Sequence, residues 1–175
     1  MVIGTRENPH NEQLKEFFTW RQTAVLDHQK VDLLNKIGNE IVLKGRFVGC
    51  VQLSEKPVQQ EDGKFVLPEG TKVSYLTLTT KEGKQFFPVF TSFFELGKWK
   101  GIMEKKPILA LVTFDDFLPV MRSNERIDAI VINPMSDNFA VPRKTAEDWT
   151  EKKKLLVAKI KEAQEAKKAQ EEQKQ

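Results

Sequence analysis

Residues 72–90 constrain the fold more than any other part of this sequence. KVSYLTLTT (72–80) alternates between two sets of side chains, as a strand with two different faces does. QFFPVF (85–90) is a second run of β-forming residues, and only KEGK (81–84) separates the two runs. A connection this short joins antiparallel neighbours. The sequence therefore predicts a β-hairpin and, with it, an antiparallel sheet.

The hairpin belongs to a larger pattern of strands and helices. Other runs of β-forming residues predict strands at 40–43, 46–53, 107–112, 127–133 and 138–141. Apolar periodicity and capping residues predict helices at 9–25, 28–38, 93–100, around 115–121, and from Thr145 onward. Gly38-Asn39 should end the second helix, and Pro119 should kink or stop the fourth.

The fold class that follows is α+β (mixed α/β). It has two N-terminal helices, a mostly antiparallel sheet of five to seven strands with short inserted helices, and a C-terminal helix. Residues 1–144 form one predicted domain, with 58–70 as a surface excursion of turn-forming residues. Residues 145–175 form a predicted charged helix whose large apolar residues stop after Ile160. Because a helix that is polar all round finds nothing to bury, we expect its distal part to be solvent-exposed.

The net charge of +3 does not indicate a general basic surface. Residues 151–175 hold 8 Lys against 5 Glu, which accounts for the whole excess, and the rest of the chain is balanced. Nucleic-acid binding needs a basic stripe or patch, so the composition argues against a nucleic-acid partner. Binding by the tail alone would depend steeply on salt and would be lost on truncation near residue 150.

The expected compartment is the cytoplasm. Cys50 is the single cysteine, so there is no internal disulfide framework and a reducing environment is indicated. Its position in the middle of a predicted strand favours a core residue over a reactive thiol. No apolar run is long enough for a transmembrane helix, and residues 1–18 lack the apolar segment of a signal peptide. We therefore expect no membrane association.

The patterns that carry catalysis, metals or cofactors are missing from the sequence. His10 and His28 lie 18 residues apart, with no further histidine or cysteine near either one. VFTSF (89–93) does not match GxSxG, and Ser92 is better explained as a helix N-cap that forms a capping box with Glu95. Glycine-rich phosphate loops are also missing. We therefore predict no catalytic residue, no metal and no cofactor.

Three motifs occur in an order that resembles a known family. PVFTS (88–92) ends a predicted strand, ELGKW (95–99) covers the short helix after it, and INP (132–134) precedes Asn138-Phe139. In this order the motifs look like the N-terminal domain of the SseB family, over residues 10–142. The resemblance implies a bacterial cytoplasmic protein with an α/β fold and a poorly understood role, and it supplies no catalytic residues. We expect nothing after residue 142 to form the second domain of the two-domain members.

The two turns within these motifs form the candidate site. The candidate ligand- or partner-binding residues are Phe90, Thr91, Ser92, Trp99, Asn133, Pro134 and Asn138. A conformational role also explains both turns, because Thr-Ser caps a helix and Asn-Pro ends a strand.

Two functions remain open for this site. The first is a non-enzymatic interaction module of the SseB family, with a groove between the turns, a protein partner, and the tail helix as a second contact. The alternative is an enzyme or accessory of amino-acid or sulfur metabolism that binds a small metabolite near the Thr91-Ser92 and Asn133-Pro134 turns. An enclosed polar cavity there would favour the alternative, and a flat or filled surface would favour the interaction module.

Overall fold

A computed structural model describes residues 1–24, 26–59 and 65–172 of the 175-residue chain. The helices are α1 (Glu12–Thr23), α2 (Asp27–Leu43), α3 (Phe93–Gly97), α4 (Phe117–Ser123) and α5 (Arg143–Glu172). The strands are β1 (Val2–Ile3), β2 (Arg46–Leu53), β3 (Val58–Gln59), β4 (Phe65–Val66), β5 (Val73–Tyr75), β6 (Leu78–Thr79), β7 (Gln85–Phe90), β8 (Ile108–Thr113), β9 (Ile127–Ile132) and β10 (Phe139–Pro142).

Among the described residues, eight strands form one sheet. Its main path has the order β1-β8-β2-β7-β9-β10, with β5 paired to β2 and β6 paired to β7. Every pairing is antiparallel except that of β7 with β9, which is parallel. The predicted α+β class, with a mostly antiparallel sheet and helices in both terminal regions, is confirmed. The sheet has one strand more than the five to seven expected.

The predicted hairpin is formed by β6 and β7, which place Leu78 opposite Phe86. β5, predicted as part of the same strand as β6, pairs instead with the carboxyl half of β2. The reason is that β2 and β7 pair only at Val48 and Gly49, so their edges beyond that point are free for β5 and β6. The excursion at 58–70 contains a small ladder of β3 with β4, and residues 60–64 lie outside the described ranges.

Residues 40–43, predicted as a strand, are the last turn of α2. Ile37 and Ile41 are both fully buried and continue one face of the helix through the predicted stop. Gly38 is needed for packing, because a Cβ there would lie 2.9 Å from the Trp149 ring of α5. The predicted end of the helix at Gly38 was wrong. This glycine lets α2 and α5 approach each other closely, and α2 continues through it.

The helix that contains Pro119 has no need to kink. α4 begins at Phe117, so the proline lies in the first turn, where a helix has no use for its backbone N–H. A short 3-10 turn, Phe114–Asp116, precedes it. The Asp116 carboxylate accepts hydrogen bonds from the Thr113 N–H (2.8 Å) and hydroxyl (3.0 Å), so these two residues form a capping pair at the start of this turn.

α5 begins at Arg143, two residues before the predicted start at Thr145. The Arg143 guanidinium donates to the Met121 carbonyl (2.8 Å) at the end of α4. Ala146 is fully buried. These contacts anchor the helix to the rest of the fold from its first turn.

Both faces of the sheet carry apolar packing. Phe47 and Phe87 belong to the main core, which also includes residues of α1, α2, α4 and α5. Val48, Cys50 and Phe90 point to the other face and form a smaller core with residues of α3 and the loop after it. This smaller core supports the segment that follows β7, where the candidate residues are found.

Candidate functional site

The two candidate turns lie side by side at one end of the sheet. β7 and β9 are parallel, with Val89 opposite Ile132, so the segments after their carboxyl ends meet. Thr91 and Ser92 follow β7, and Asn133 follows β9. The Asn133 N–H donates to the Val89 carbonyl (2.9 Å). In open sheets, ligands commonly bind beyond the carboxyl ends of parallel strands.

A buried hydrogen-bond network joins the two turns. Asn133 Oδ1 accepts from the Thr91 N–H (2.9 Å), and Asn133 Nδ2 donates to Thr91 Oγ1 (2.9 Å) and to Asp137 Oδ2 (2.7 Å). Thr91 is 0% exposed and Asn133 is 1% exposed. The two residues are therefore partners of each other, and their side chains fill the space between the strand ends.

Asn11 extends this network from the start of α1. Its Nδ2 donates to the carbonyls of Thr91 (2.9 Å) and Arg46 (2.6 Å), and its Oδ1 accepts from the Arg46 N–H (3.2 Å). Sequence reasoning missed Asn11 because an asparagine before an amphipathic segment is expected to cap the helix. Here it makes no side-chain cap bond and ties β2 to the end of β7.

The turn from β9 to β10 depends on two asparagines. Asn133 and Asn138 both have a φ of 47°, in the left-handed region that asparagine tolerates better than most residues. The Asn138 N–H donates to the Asn133 carbonyl (2.9 Å) and closes the turn. Pro134 is half-buried and Asn138 is exposed. Asp137, whose carboxylate completes the network, was missed because an aspartate in a turn has a local explanation.

α3 is fixed beside the network. The Ser92 hydroxyl accepts from the Glu95 N–H (3.3 Å), as predicted for the N-cap. The Glu95 carboxylate does not complete the predicted capping box, because it is engaged by the Ser136 hydroxyl (2.6 Å) and the Lys98 ammonium (2.7 Å). The bond to Ser136 holds α3 against the turn from β9 to β10.

Phe90 and Trp99, two of the candidate residues, support the site from beneath. Phe90 is fully buried in the smaller core. Its ring stacks on that of Trp99, which is half-buried, with the centroids 6.0 Å apart. The structure therefore brings Thr91, Ser92 and Asn133 together at the surface depression described next, and it places Phe90 and Trp99 in the packing below α3.

A shallow depression of about 390 Å³ lies beside the network, and we call it the Phe94 surface. It is lined by Lys15, Thr19, Thr91, Ser92, Phe94, Glu95, Asn133 and Asp137. Phe94 is 75% exposed, and the Lys98 ammonium lies 4.9 Å from its ring centroid. The phenylalanines of this apolar segment have the sequence pattern of core residues. Only the rotation of the short α3 helix shows that one of them faces solvent.

The family model for the SseB protein N-terminal domain matches residues 40–145. The chain belongs to the SseB family. This confirms the predicted resemblance, and the matched region includes both candidate turns and α3, whereas α1 and almost all of α5 lie outside it. Comparison with curated proteins and with solved structures gives no match.

Cys50 and Ser92 are two potential nucleophiles of the SseB domain. Burial raises the pKa of the Cys50 thiol to about 12, so the thiol stays protonated near neutral pH and is a poor nucleophile. The Ser92 hydroxyl is engaged with α3. Within residues 1–24, 26–59 and 65–172, no three His, Cys, Asp or Glu residues are grouped as metal ligands. No helix in those ranges combines the length and apolar character required to cross a bilayer.

Proposed function

We propose that this SseB-family protein is a non-enzymatic interaction module that binds a protein partner at the Phe94 surface. The observation that carries the proposal is the exposed Phe94 ring, because it stands on a helix whose neighbours are fixed by hydrogen bonds. Met135, which is 45% exposed, adjoins Ser136, and the Ser136 hydroxyl bonds to Glu95. Phe94 and Met135 thus each precede, in the sequence, one of the two residues that this hydrogen bond joins.

The rigidity of this arrangement favours binding. An aromatic side chain on a backbone that is already held in place loses less conformational freedom on binding than one on a mobile segment. Aromatic anchors of this kind provide much of the energy in protein interfaces. The Ser92 cap and the Glu95–Ser136 bond fix the backbone of α3, the helix that carries Phe94.

The depression itself favours a surface partner over an enclosed ligand. Its floor consists of Thr91 and Asn133, whose polar groups bond to each other and to Asp137. Ligand sites usually present convergent polar groups that are free to contact the ligand. Because the polar groups of this floor already have hydrogen-bond partners within the protein, the depression fits an interaction module better than a ligand site.

The rim indicates what such a partner should offer. Lys15 and Asp137 place opposite charges on the rim, and Lys98 lies over the Phe94 ring. A fitting partner would cover Phe94 with an apolar side chain and meet the rim with polar groups of both signs. The rim charges would govern orientation and association rate more than affinity.

A small-metabolite site is the second candidate. The volume of about 390 Å³ falls within the range of ligand pockets, roughly 300–1,000 Å³. This supports the alternative of an enzyme or accessory of amino-acid or sulfur metabolism. A thermal-shift screen with amino acids, nucleotides and sulfur metabolites tests it, since a ligand at about 100 times its Kd adds about 2.7 kcal/mol. A raised melting temperature that Lys15→Ala abolishes would favour this candidate over the interaction module.

Site-specific crosslinking tests the interaction module. A photo-crosslinking amino acid replaces Phe94 in one variant and Trp20, which is about half exposed on α1, in a matched control. We expect one protein adduct of defined mass from position 94 that position 20 does not give. Copurification of that protein should be lost with Phe94→Ala and retained with Trp20→Ala. The same adducts from both positions, or none from either, would contradict the proposal.

We further propose a bacterial cytoplasmic setting. Membership of the SseB family and the free, buried Cys50 support it, because thiols without a partner persist in reducing compartments. Fractionation of cells that produce the full chain tests it, and recovery in an extracytoplasmic fraction would contradict it.

A further inference from the structure

The segment between α3 and β8 crosses the face of the sheet that carries the smaller core. β7 and β8 both pair antiparallel with β2, so they run in the same direction and the chain between them must return from one end of the sheet to the other. Ile102 of this segment is buried in the smaller core with Cys50 and Phe90. The crossing segment therefore lies on that core and spans the six residues of β8, about 20 Å.

Three exposed lysines of the crossing segment, Lys100, Lys105 and Lys106, form what we call the lysine stripe. No carboxylate oxygen of a described residue lies within 4.0 Å of their ammonium groups. Five lysines on α1, α2 and α5 do have a carboxylate partner three or four residues away, and these are Lys15, Lys30, Lys36, Lys44 and Lys154. The ammonium groups of the lysine stripe can therefore meet the acidic groups of another molecule.

The lysine stripe continues from the Phe94 surface. Lys98 lies between the two, with its ammonium 4.9 Å from the Phe94 ring centroid and 2.7 Å from the Glu95 carboxylate. The next residue, Trp99, stacks on the buried Phe90 ring, so the start of the crossing segment is anchored in the smaller core. An exposed aromatic ring thus stands at one end of a line of ammonium groups.

We propose that the partner that covers Phe94 carries an acidic segment, which lies along the lysine stripe. This inference rests on the proposed function, because it names the chemistry of the same partner. An apolar side chain of the partner covers the Phe94 ring, and its Asp or Glu side chains follow within about six residues, the number with which an extended chain spans about 20 Å. Opposite charges placed in this way speed association and fix the direction in which the segment lies.

A protein segment fits this surface better than a nucleic acid does. Proteins that bind single strands stack successive bases on several aromatic rings, and here the Trp99 ring is already stacked on Phe90. The carboxylates of Glu95 and Asp137 also line the depression beside Phe94. They repel phosphate groups, whereas they can accept hydrogen bonds from peptide N–H groups. The same repulsion disfavours an anionic membrane surface.

Selection from a phage-displayed library of random peptides tests the proposal on the full chain. Peptides of about 12 residues are long enough, since about six residues span the crossing segment. We expect the selected peptides to combine a large apolar residue with several Asp or Glu residues and to lose binding to the Phe94→Ala variant. For one such peptide, fluorescence anisotropy should show a Kd that increases with salt and that rises about tenfold with Lys100→Glu plus Lys105→Glu.

Lys144→Glu with Lys152→Glu is the control of equal charge change. Both positions are exposed on α5, away from the crossing segment, so the Kd of the peptide should stay within about twofold of its original value. Both double variants should keep the urea midpoint of the unchanged chain, because all four lysines are exposed. A loss of binding that is confined to Lys100→Glu with Lys105→Glu would then be due to the lysine stripe.

The outcomes separate this proposal from the proposed function. Selected peptides that require Phe94 but contain no acidic residues would refute the acidic segment and leave the proposed function in place. Equal weakening by the two double variants would also refute it, because net charge alone would then attract the peptide. Tighter binding of a single-stranded oligonucleotide of about 20 bases, or of phosphatidylserine vesicles, would replace the protein partner with a nucleic acid or a membrane. A selection without any peptide that depends on Phe94 would contradict both proposals.

Discussion

The hydrogen bonds of Asn133 are the feature whose removal should be most informative. Asn133→Ala deletes the side chain that joins the end of β7 to the turn after β9. Thr91 is fully buried, so water cannot replace the lost partner of its N–H. We expect the variant to fold to a less stable state in which the two turns are no longer joined.

The magnitude follows from two costs. The buried Thr91 N–H loses its acceptor, which costs about 1–3 kcal/mol. Alanine must also adopt the φ of 47° found at this position, which costs about 1–2 kcal/mol. The bond to Asp137 adds less, because that carboxylate is partly exposed and can bind water. The expected loss in the free energy of unfolding is about 2–5 kcal/mol.

Asn138→Ala is the matched control for the backbone cost. Asn138 has the same φ of 47°, but its side chain is exposed, so its replacement should cost only about 1–2 kcal/mol. Equilibrium urea denaturation of both variants measures the difference, provided that the m-value is unchanged. Equal losses for Asn133→Ala and Asn138→Ala would refute the argument that the buried network stabilises this site.

Two further predictions concern the two faces of the sheet. Phe87→Ala should destabilise the fold by about 3–5 kcal/mol because the ring is fully buried in the main core. Phe94→Ala should change the stability by less than about 0.5 kcal/mol. Equal melting temperatures of the two variants would contradict the placement of these rings. Cys50 should resist iodoacetamide in the native state and react once urea unfolds the chain. Stability should also fall as pH rises from 9.0 toward about 12, because the unfolded thiol releases its proton in this range while the native thiol keeps it; a Cys50→Ala variant with the same alkaline loss would contradict that cause.

The strand pattern could be predicted from the sequence because its signal is local. Alternation in 72–80 and the short connection before β7 indicate an antiparallel hairpin wherever the segment lies in the fold. The apolar runs of β8 and β9 and the Ser92 cap are equally local, and the structure confirms all of them. The SseB motifs likewise lie at the ends of these elements, which is why the family could be recognised.

The predictions that were wrong concern segments whose structure depends on residues far away in the sequence. Gly38 has the local signature of a helix end, but α2 continues because Trp149, more than 100 residues away, packs against the glycine. The strand predicted at 72–80 divides because β2 and β7 separate and leave two edges to be paired. Neither the Gly38–Trp149 contact nor the separation of β2 from β7 can be read from a stretch of ten neighbouring residues.

The sequence alone determined the class of fold, the family, the capped turn after β7 and the position of the second turn after β9. Only the tertiary structure decided that Asn133 joins those two turns, that Asn11 ties β2 to the end of β7, and that Phe94, in a largely apolar segment, faces solvent. The physical reason is the range of the interactions. Hydrophobic period and capping act over a few residues, whereas a buried hydrogen bond is satisfied, or a side chain exposed, only by what the rest of the fold places beside it.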